Sequence, residues 1–263
     1  MNKYKNLLIS QDISSVVRVT LNRPAVRNAF NPEMINEITE VFKILSSDVS
    51  VKVIVLDGAG KSFCAGADLE WMKSMISFSE EENRKDSYLL FDMFQSILNC
   101  EKPIIAIAHG GAFGGALGLL AVSDIVLAEE STQFCFSEVK LGLAPAVISC
   151  FVLRKIQSQQ ISPLMISGKV FTTNEAMKVG LVHDNYVDSN LEEKIDHWIK
   201  LFLEAAPQAV ASTKRLINNL GQLNWAQQRE FACGLIAERR ISLEGQEGLK
   251  SFLEKRNPAW KNS

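Results

Sequence analysis

The sequence predicts an α/β protein, and three observations carry that prediction. The runs Val53-Ile54-Val55-Leu56, 104–108 and 125–128 are short and continuously apolar, as strands covered on both faces are. Long stretches with apolar residues at helical spacing separate them, which argues for parallel pairing through helical crossovers. Beyond about residue 190 no strand pattern recurs, and the C-terminal part reads as helices alone.

Taken from the start, Leu7-Leu8-Ile9 and the alternating Val17, Val19 and Leu21 read as two strands paired in a hairpin across Gln11-Asp12. Asn31-Pro32 then supplies a cap and a proline for the first helical position. From there Met34, Ile35, Ile38, Val41, Phe42 and Leu45 fall on one face of a helix. The strand at 53–56 ends in Asp57-Gly58, and Leu69-Glu70-Trp71-Met72 opens another helical pattern. After the strand at 104–108, a helix begins near Gly114 and leads to the strand at 125–128. Residues 191–205, 207–220, 225–241 and 244–256 read as helices, with Pro207, Gly221 and Gly245 near the breaks. The chain thus divides into a core, 1–190, and a helical region, 191–263, which is either a lid or oligomerisation arm or the last layer of the same domain.

Composition excludes several classes. With 263 residues, 47% hydrophobic and 22% charged, the chain can bury a sizeable core. A net charge of −2 and scattered basic residues leave no footprint for nucleic acid. No run reaches the roughly 18 apolar residues that span a bilayer. The opening MNKYKNLLISQDISS carries no leader pattern, so no membrane partner and a cytoplasmic location are expected. Cys64, Cys100, Cys135, Cys150 and Cys233 lack metal-ligand spacing, and His109, His183 and His197 are far apart. No metal is expected, and the thiols read as reduced.

Five of the 15 glycines fall in GGAFGGALG at 110–118. The spacing matches neither GxxxxGK[ST] nor a dinucleotide GxGxxG. What remains is a strand, a glycine turn and a helix whose first N–H groups are free and carry the positive end of its dipole. Such an end either packs small residues closely or holds negative charge developing on an oxygen. Ser62-Phe63-Cys64-Ala65-Gly66-Ala67-Asp68 repeats the arrangement after the strand at 53–56, at the strand edge where ligands bind in open α/β folds. Two donors from two such loops would make an oxyanion hole. Asp68 also reads as the cap of the helix that follows.

FCAGADL at 63–69, LNRPAVRNAF at 21–30, KPIIAIAHGGAFGGALGLLAVSDIVLA at 102–128 and FSEVKLGLAPA at 136–146 resemble the crotonase family, the enoyl-CoA hydratase/isomerase superfamily. The likeness runs in order over 5–260 and includes the final NPAW. It implies a spiral of ββα units with a helical C-terminal trimerisation region, assembled as a homotrimer or as a hexamer of two trimers. It also implies an acyl-CoA thioester substrate whose carbonyl is held by the main-chain N–H groups of Ala67 and Gly115. Coenzyme A enters as part of the substrate, and no separate cofactor is implied. The CoA moiety would lie along Ala25, Val26, Arg27, Ala65, Asp68 and Leu69. Many relatives carry Lys where Ala25 stands, which leaves Arg27, Lys255 or Arg256 to meet the phosphates. Gly66 and Gly114 flank the donors, and Trp71 and Gly118 would line the acyl group.

Hydratases of the family typically use two glutamates. Here the later one matches Glu138, and the earlier falls on Gly118. Glu138 stands in the apolar Cys135-Phe136-Ser137-Glu138-Val139, which should raise its pKa and suit it to proton transfer. Gly118 would leave space for water or a branched acyl group. One carboxylate can serve hydration, or it can move a proton from C2 to C4 as a Δ3-Δ2-enoyl-CoA isomerase. GADLEWMKSMISFSEEEN at 66–83, Gly118 and FCFSEVKLGLAPAVIS at 134–149 are especially similar to bacterial 3-methylglutaconyl-CoA hydratases of leucine breakdown. The resemblance therefore leans towards hydration of a branched glutaconyl ester, with Lys140, Lys73 or backbone donors as candidates for meeting the second carboxylate. Some relatives bind RNA without catalysing a reaction; the mild acidity and the absence of a basic stripe speak against that here.

Overall fold

Local sequence signals place the first elements. The structure, a computed structural model, describes residues 3–11 and 15–261. Strand β1 (Leu7–Gln11) runs antiparallel to β2 (Val16–Leu21) with Leu7 opposite Leu21, as the hairpin reading requires. Asp12 of the expected turn lies outside the described residues. Asn31 accepts a 2.8 Å hydrogen bond from the Met34 N–H and so caps α1 (Pro32–Ser47), whose buried residues are the six apolar ones expected.

The chain continues through β3 (Val53–Gly58), α2 (Leu69–Met75), α3 (Glu80–Leu98), β4 (Ile104–Ala108), β5 (Gly111–Phe113), α4 (Gly115–Val122), β6 (Ile125–Glu129) and β7 (Gln133–Cys135). Helices α5 (Ala146–Lys155) and α6 (Ser158–Ser167), strand β8 (Phe171–Thr172), α7 (Thr173–Lys178) and β9 (Asp184–Tyr186) follow. The C-terminal helices are α8 (Leu191–Glu204), α9 (Pro207–Leu220), α10 (Trp225–Ile241) and α11 (Leu243–Leu253).

Six strands form the main sheet in the order β1-β2-β3-β4-β6-β9, parallel from β2 onwards. Ile54 pairs with Ile104 and Leu56 with Ala106. That register brings the loops leaving β3 and β4 to the same edge, side by side. One sheet face packs under α1, α3 and α4 in a cluster that includes Leu56, Phe42, Phe94 and Leu117. The other face, with Val53, Val55, Ile105 and Leu127, lies under Trp198, Ile199 and Phe202 of α8. The first C-terminal helix is therefore a cover layer of the sheet, needed to bury strands that are apolar on both sides.

Two features depart from the sequence reading. The glycine stretch contains β5, which pairs with β7 and through it β8 in a second, three-stranded sheet. Strands of two or three residues are too short to leave a periodic signal. The last break falls at Ser242, whose hydroxyl accepts a 3.0 Å bond from the Gly245 N–H and caps α11, so Gly245 lies inside the helix. A Cβ there would come 1.9 Å from the Arg239 carbonyl oxygen, and glycine is required for that approach rather than for the break.

Helix α9 is fastened to the core by Lys214, which pairs with Asp124 at 2.6 Å and donates to the Lys102 carbonyl at 2.6 Å. Trp225 and Ile241 of α10 and Leu243, Phe252 and Leu253 of α11 are all exposed. No described helix is long and apolar enough to cross a membrane. The five cysteines are free, and Cys64, Cys100 and Cys135 are buried.

Candidate active site

Two loops meet at the C-terminal edge of the sheet because their parent strands are neighbours. The Phe63 N–H donates to the His109 carbonyl at 2.9 Å, Cys64 N–H to Gly111 at 3.2 Å, and Phe113 N–H to Cys64 at 3.1 Å. The segment after β3 is thus laced to the glycine segment after β4. Gly110 takes φ +60°, and a Cβ there would lie 2.0 Å from the Lys61 carbonyl oxygen, so the lacing needs a residue without a side chain.

A third loop, 23–30, is locked to these by Asn28. This fully buried residue takes φ +56°, and its side-chain amide donates to the carbonyls of Ala59 (2.8 Å), Ser62 (2.8 Å) and Phe63 (3.2 Å). Its Oδ1 accepts from the Arg23 N–H at 2.8 Å. Sequence reasoning missed Asn28; the available signal was an asparagine, the residue that tolerates positive φ, inside LNRPAVRNAF.

Each proposed donor follows a buried glycine with positive φ. Gly66, at φ +88°, precedes Ala67, and Gly114, at φ +54° and ψ −121°, precedes Gly115. The Gly114 carbonyl accepts from the Leu117 N–H at 2.9 Å, which directs the N–H of that same trans peptide, Gly115's, out of the start of α4. Ala67 and Gly115 are partly exposed, and neither amide donates to an acceptor among the described residues. A Cβ on Gly66 would meet the Phe113 carbonyl oxygen at 2.8 Å, so the two donor loops are in direct contact.

Glu138 faces this junction. It follows β7 in a short 3₁₀ turn, Ser137–Leu141, and its Oε1 would stand 3.2 Å from a Cβ placed on Gly114. Its Oε2 is buried and has no hydrogen-bond partner among the described residues. Burial pushes the carboxyl above the usual glutamate range, against a smaller opposing pull from its own backbone amide. Two unspent N–H donors beside one carboxyl of raised pKa can hold a negative oxygen while moving a proton near it.

Gly118 does not leave the open space expected of it. A Cβ at 118 would lie 2.5 Å from Phe94 Cζ and 3.0 Å from Ile148 Cγ2. Phe94 is fully buried and packs against Phe151 at 5.4 Å, so the position is filled by an aromatic ring rather than by water or acyl space. Asp68 takes the cap role read from the sequence. Its carboxylate accepts from the Glu70 N–H at 2.8 Å as the cap of α2 and pairs with Arg23 at 2.8 Å. Burial would raise its pKa, but the Glu70 amide and the Arg23 guanidinium outweigh that and hold it below the ordinary value.

The other expected contacts are distributed around the junction. Ala25, Val26 and Arg27 form an exposed turn joined to the 63–68 loop by the Ala65 N–H, which donates to the Arg27 carbonyl at 2.9 Å. Leu69, 72% exposed, begins α2. Trp71 is buried in the core, its indole N–H donating to Asp86 of α3 at 3.1 Å. His109 serves the backbone, its Nε2 lying 3.0 Å from the Gly60 carbonyl oxygen. Arg256 is held by Glu247 and Glu254 at 2.6 and 2.7 Å, and Lys73 by Glu70 at 2.6 Å. A cleft of about 490 Å³ lies at the opposite ends of the strands, lined by Val51, Pro103, Pro207 and Arg239, and contains none of these residues. Among the described residues no group of three or more His, Cys, Asp or Glu could hold a metal ion.

Both the sequence and the fold are similar to those of known proteins. The sequence profile of the family described as Enoyl-CoA hydratase/isomerase matches residues 11–263. A solved enoyl-CoA hydratase from Shewanella pealeana superposes with a TM-score of 0.93 at 35% identity, covering 98% of this chain and 97% of that one. The 2,3-dehydroadipyl-CoA hydratase of Escherichia coli is 29% identical over 97% of this chain and 98% of its own. The human mitochondrial Delta(3,5)-Delta(2,4)-dienoyl-CoA isomerase is 33% identical over 81% of this chain and 68% of its own.

Proposed function

The chain belongs to the enoyl-CoA hydratase/isomerase family, and on that premise we propose that it adds water reversibly to the 2,3 double bond of an acyl-CoA thioester. The substrate is a branched glutaconyl ester such as 3-methylglutaconyl-CoA in leucine breakdown. The observation that carries this reading is the buried Oε2 of Glu138, without a hydrogen-bond partner among the described residues, beside the glycine turn that frees the Gly115 amide. In the forward direction the Glu138 carboxylate takes a proton from water as the hydroxyl oxygen bonds to C3. The π electrons move onto the thioester oxygen, where the Ala67 and Gly115 amides receive the charge. The resulting carboxylic acid then returns its proton to C2. A carboxyl of raised pKa suits both halves of this exchange.

Hydration is favoured by the likeness of 66–83 and 134–149 to 3-methylglutaconyl-CoA hydratases and by the hydratase names of the relatives. The E. coli relative is named for an acyl group that likewise carries a second carboxylate. The second reading is isomerisation of a 3-enoyl-CoA by Glu138 alone, which a site without a carboxylate at Gly118 serves equally well. Coenzyme A arrives with the substrate, no separate cofactor takes part, and the reaction belongs to the cytoplasm. The test is enoyl-thioester absorbance with 3-methylglutaconyl-CoA, crotonyl-CoA and 3-hexenoyl-CoA. Loss of conjugation with the first is expected, whereas a gain with 3-hexenoyl-CoA alone would replace hydratase by isomerase.

Assembly as a homotrimer or hexamer is part of the proposal. Exposed large apolar side chains on α10 and α11, Trp225, Ile241, Leu243, Phe252 and Leu253, support it. Light scattering should return three or six times the 29.2 kDa chain mass, and a monomer would overturn this part.

A further inference from the structure

The two amides assigned to the thioester oxygen sit on loops from different strands, and a single residue grips both. The Phe30 N–H donates to the Gly66 carbonyl at 2.6 Å, and the Phe30 carbonyl accepts from the Asp68 N–H at 2.8 Å. Its main chain therefore holds the residues on either side of Ala67 and leaves the Ala67 N–H itself uncommitted. The Phe30 ring meanwhile lies on Gly115, where a Cβ would come within 2.9 Å of Cε2. Nothing about this ring is loose. It is 1% exposed, and Phe94 meets it edge-on, with centroids 6.5 Å apart and planes at 81°. Its main chain is anchored from both directions, by the Asn28 side chain two residues before it and by the Asn31 cap of α1 one residue after it.

We infer that Phe30 is a positioning residue that sets the separation of the two oxyanion donors, its backbone fixing the Ala67 side and its rigid ring fixing the Gly115 side. The inference rests on the acyl-CoA reading above and adds a residue that the family motifs did not single out. An aromatic ring is suited to the task because it is rigid. A branched aliphatic side chain is shorter and more compliant, so α4 can settle towards the loop. A shift of about 1 Å in a positioned group can cost on the order of 10²-fold in rate. The loss should fall on charge stabilisation during reaction rather than on binding, since Phe30→Leu changes the ring against Gly115 and keeps the main-chain bonds to the CoA-binding loop.

The test uses Phe30→Leu, which keeps the core filled, with Phe42→Leu as a control for buried aromatic loss on α1 away from the loops. In the otherwise unaltered protein, Phe30→Leu should lower kcat by about tenfold or more while KM stays within about threefold, the pattern of an interaction made in the transition state. In a Glu138→Gln background, where substrate binds without turning over, the thioester ¹³C shift of bound 3-methyl[1-¹³C]glutaconyl-CoA reports hydrogen bonding to the carbonyl. Phe30→Leu should move that shift back towards the free value, and Phe42→Leu should lower thermal stability yet leave it in place. A full shift with kcat within about twofold of the parent would overturn the role of Phe30 and leave the function standing. Absence of any bound-state shift in the parent carrying Phe30 would instead overturn the acyl-CoA reading and this assignment with it.

Discussion

Glu138→Gln should lower kcat by about 10²–10⁴-fold, the usual contribution of a positioned acid or base, while acyl-CoA still binds. Single-turnover absorbance with an independent binding titration separates the two effects, and turnover at the parental rate would remove Glu138 from the chemistry. The same substitution has a stability signature. The folded-state pKa of Glu138 is raised, so the stability tied to it is fully present below the ordinary glutamate value. That stability is lost as pH rises through the folded-state value. At neutral pH, above the ordinary glutamate value, the parent must either ionise a buried oxygen that has no partner among the described residues or take up a proton on folding, a cost an amide does not incur. Glu138→Gln should therefore raise the melting temperature relative to the parent more at pH 7 than at pH 4. An equal difference at both pH values would show that the carboxyl is not held above its ordinary range.

Gly114→Ala should damage activity and stability together. The pair φ +54°, ψ −121° belongs to the mirror of the β region, which an L side chain enters only with strain, at a cost of about 1–3 kcal/mol. If the backbone relaxes instead, the peptide that carries the Gly115 N–H rotates with ψ of Gly114. The donor then leaves its aim, and losing one such donor costs about 10²–10³ in kcat. Gly180→Ala supplies the comparison, since Gly180 also has a positive φ, +82°, but a Cβ there meets nothing within 4 Å. It should lose stability and keep kcat. Equal kcat in the two variants would mean that the Gly114 peptide does not orient a working donor.

What could be read from the sequence was what local chemistry dictates. Asn31-Pro32 and the spacing from Met34 to Leu45 determined α1 and its buried face, because cap, proline and period lie within one segment. The continuous apolar run 104–108 matched β4 residue for residue. Glu138 was legible through the resemblance to the family, and its apolar neighbours indicated the direction in which its pKa is displaced. Features made by distant residues were not legible. The filling of Gly118 depends on Phe94, 24 positions earlier on another helix, and periodicity could mark Phe94 only as a core residue. Asp68 could be read as a cap, but its ion pair with Arg23, which spans two loops, could not. Asn28 and Phe30 lay inside a motif that drew attention to its exposed residues, while their bonds run inward to carbonyls some 30 residues away.

The fit of Phe94 over Gly118 also constrains how this active site can change over generations. A descendant acquiring a carboxylate at 118 must first displace a ring that sits 2.5 Å from where the new Cβ would be. Shrinking Phe94 beforehand opens a cavity under α4, a change that for Phe→Ala costs about 3–5 kcal/mol. Neither single step is neutral, yet the second relieves the damage done by the first, so the two substitutions are epistatic in sign. One-carboxylate and two-carboxylate versions of this site are thus separated by a valley that is crossed most readily when both positions change together.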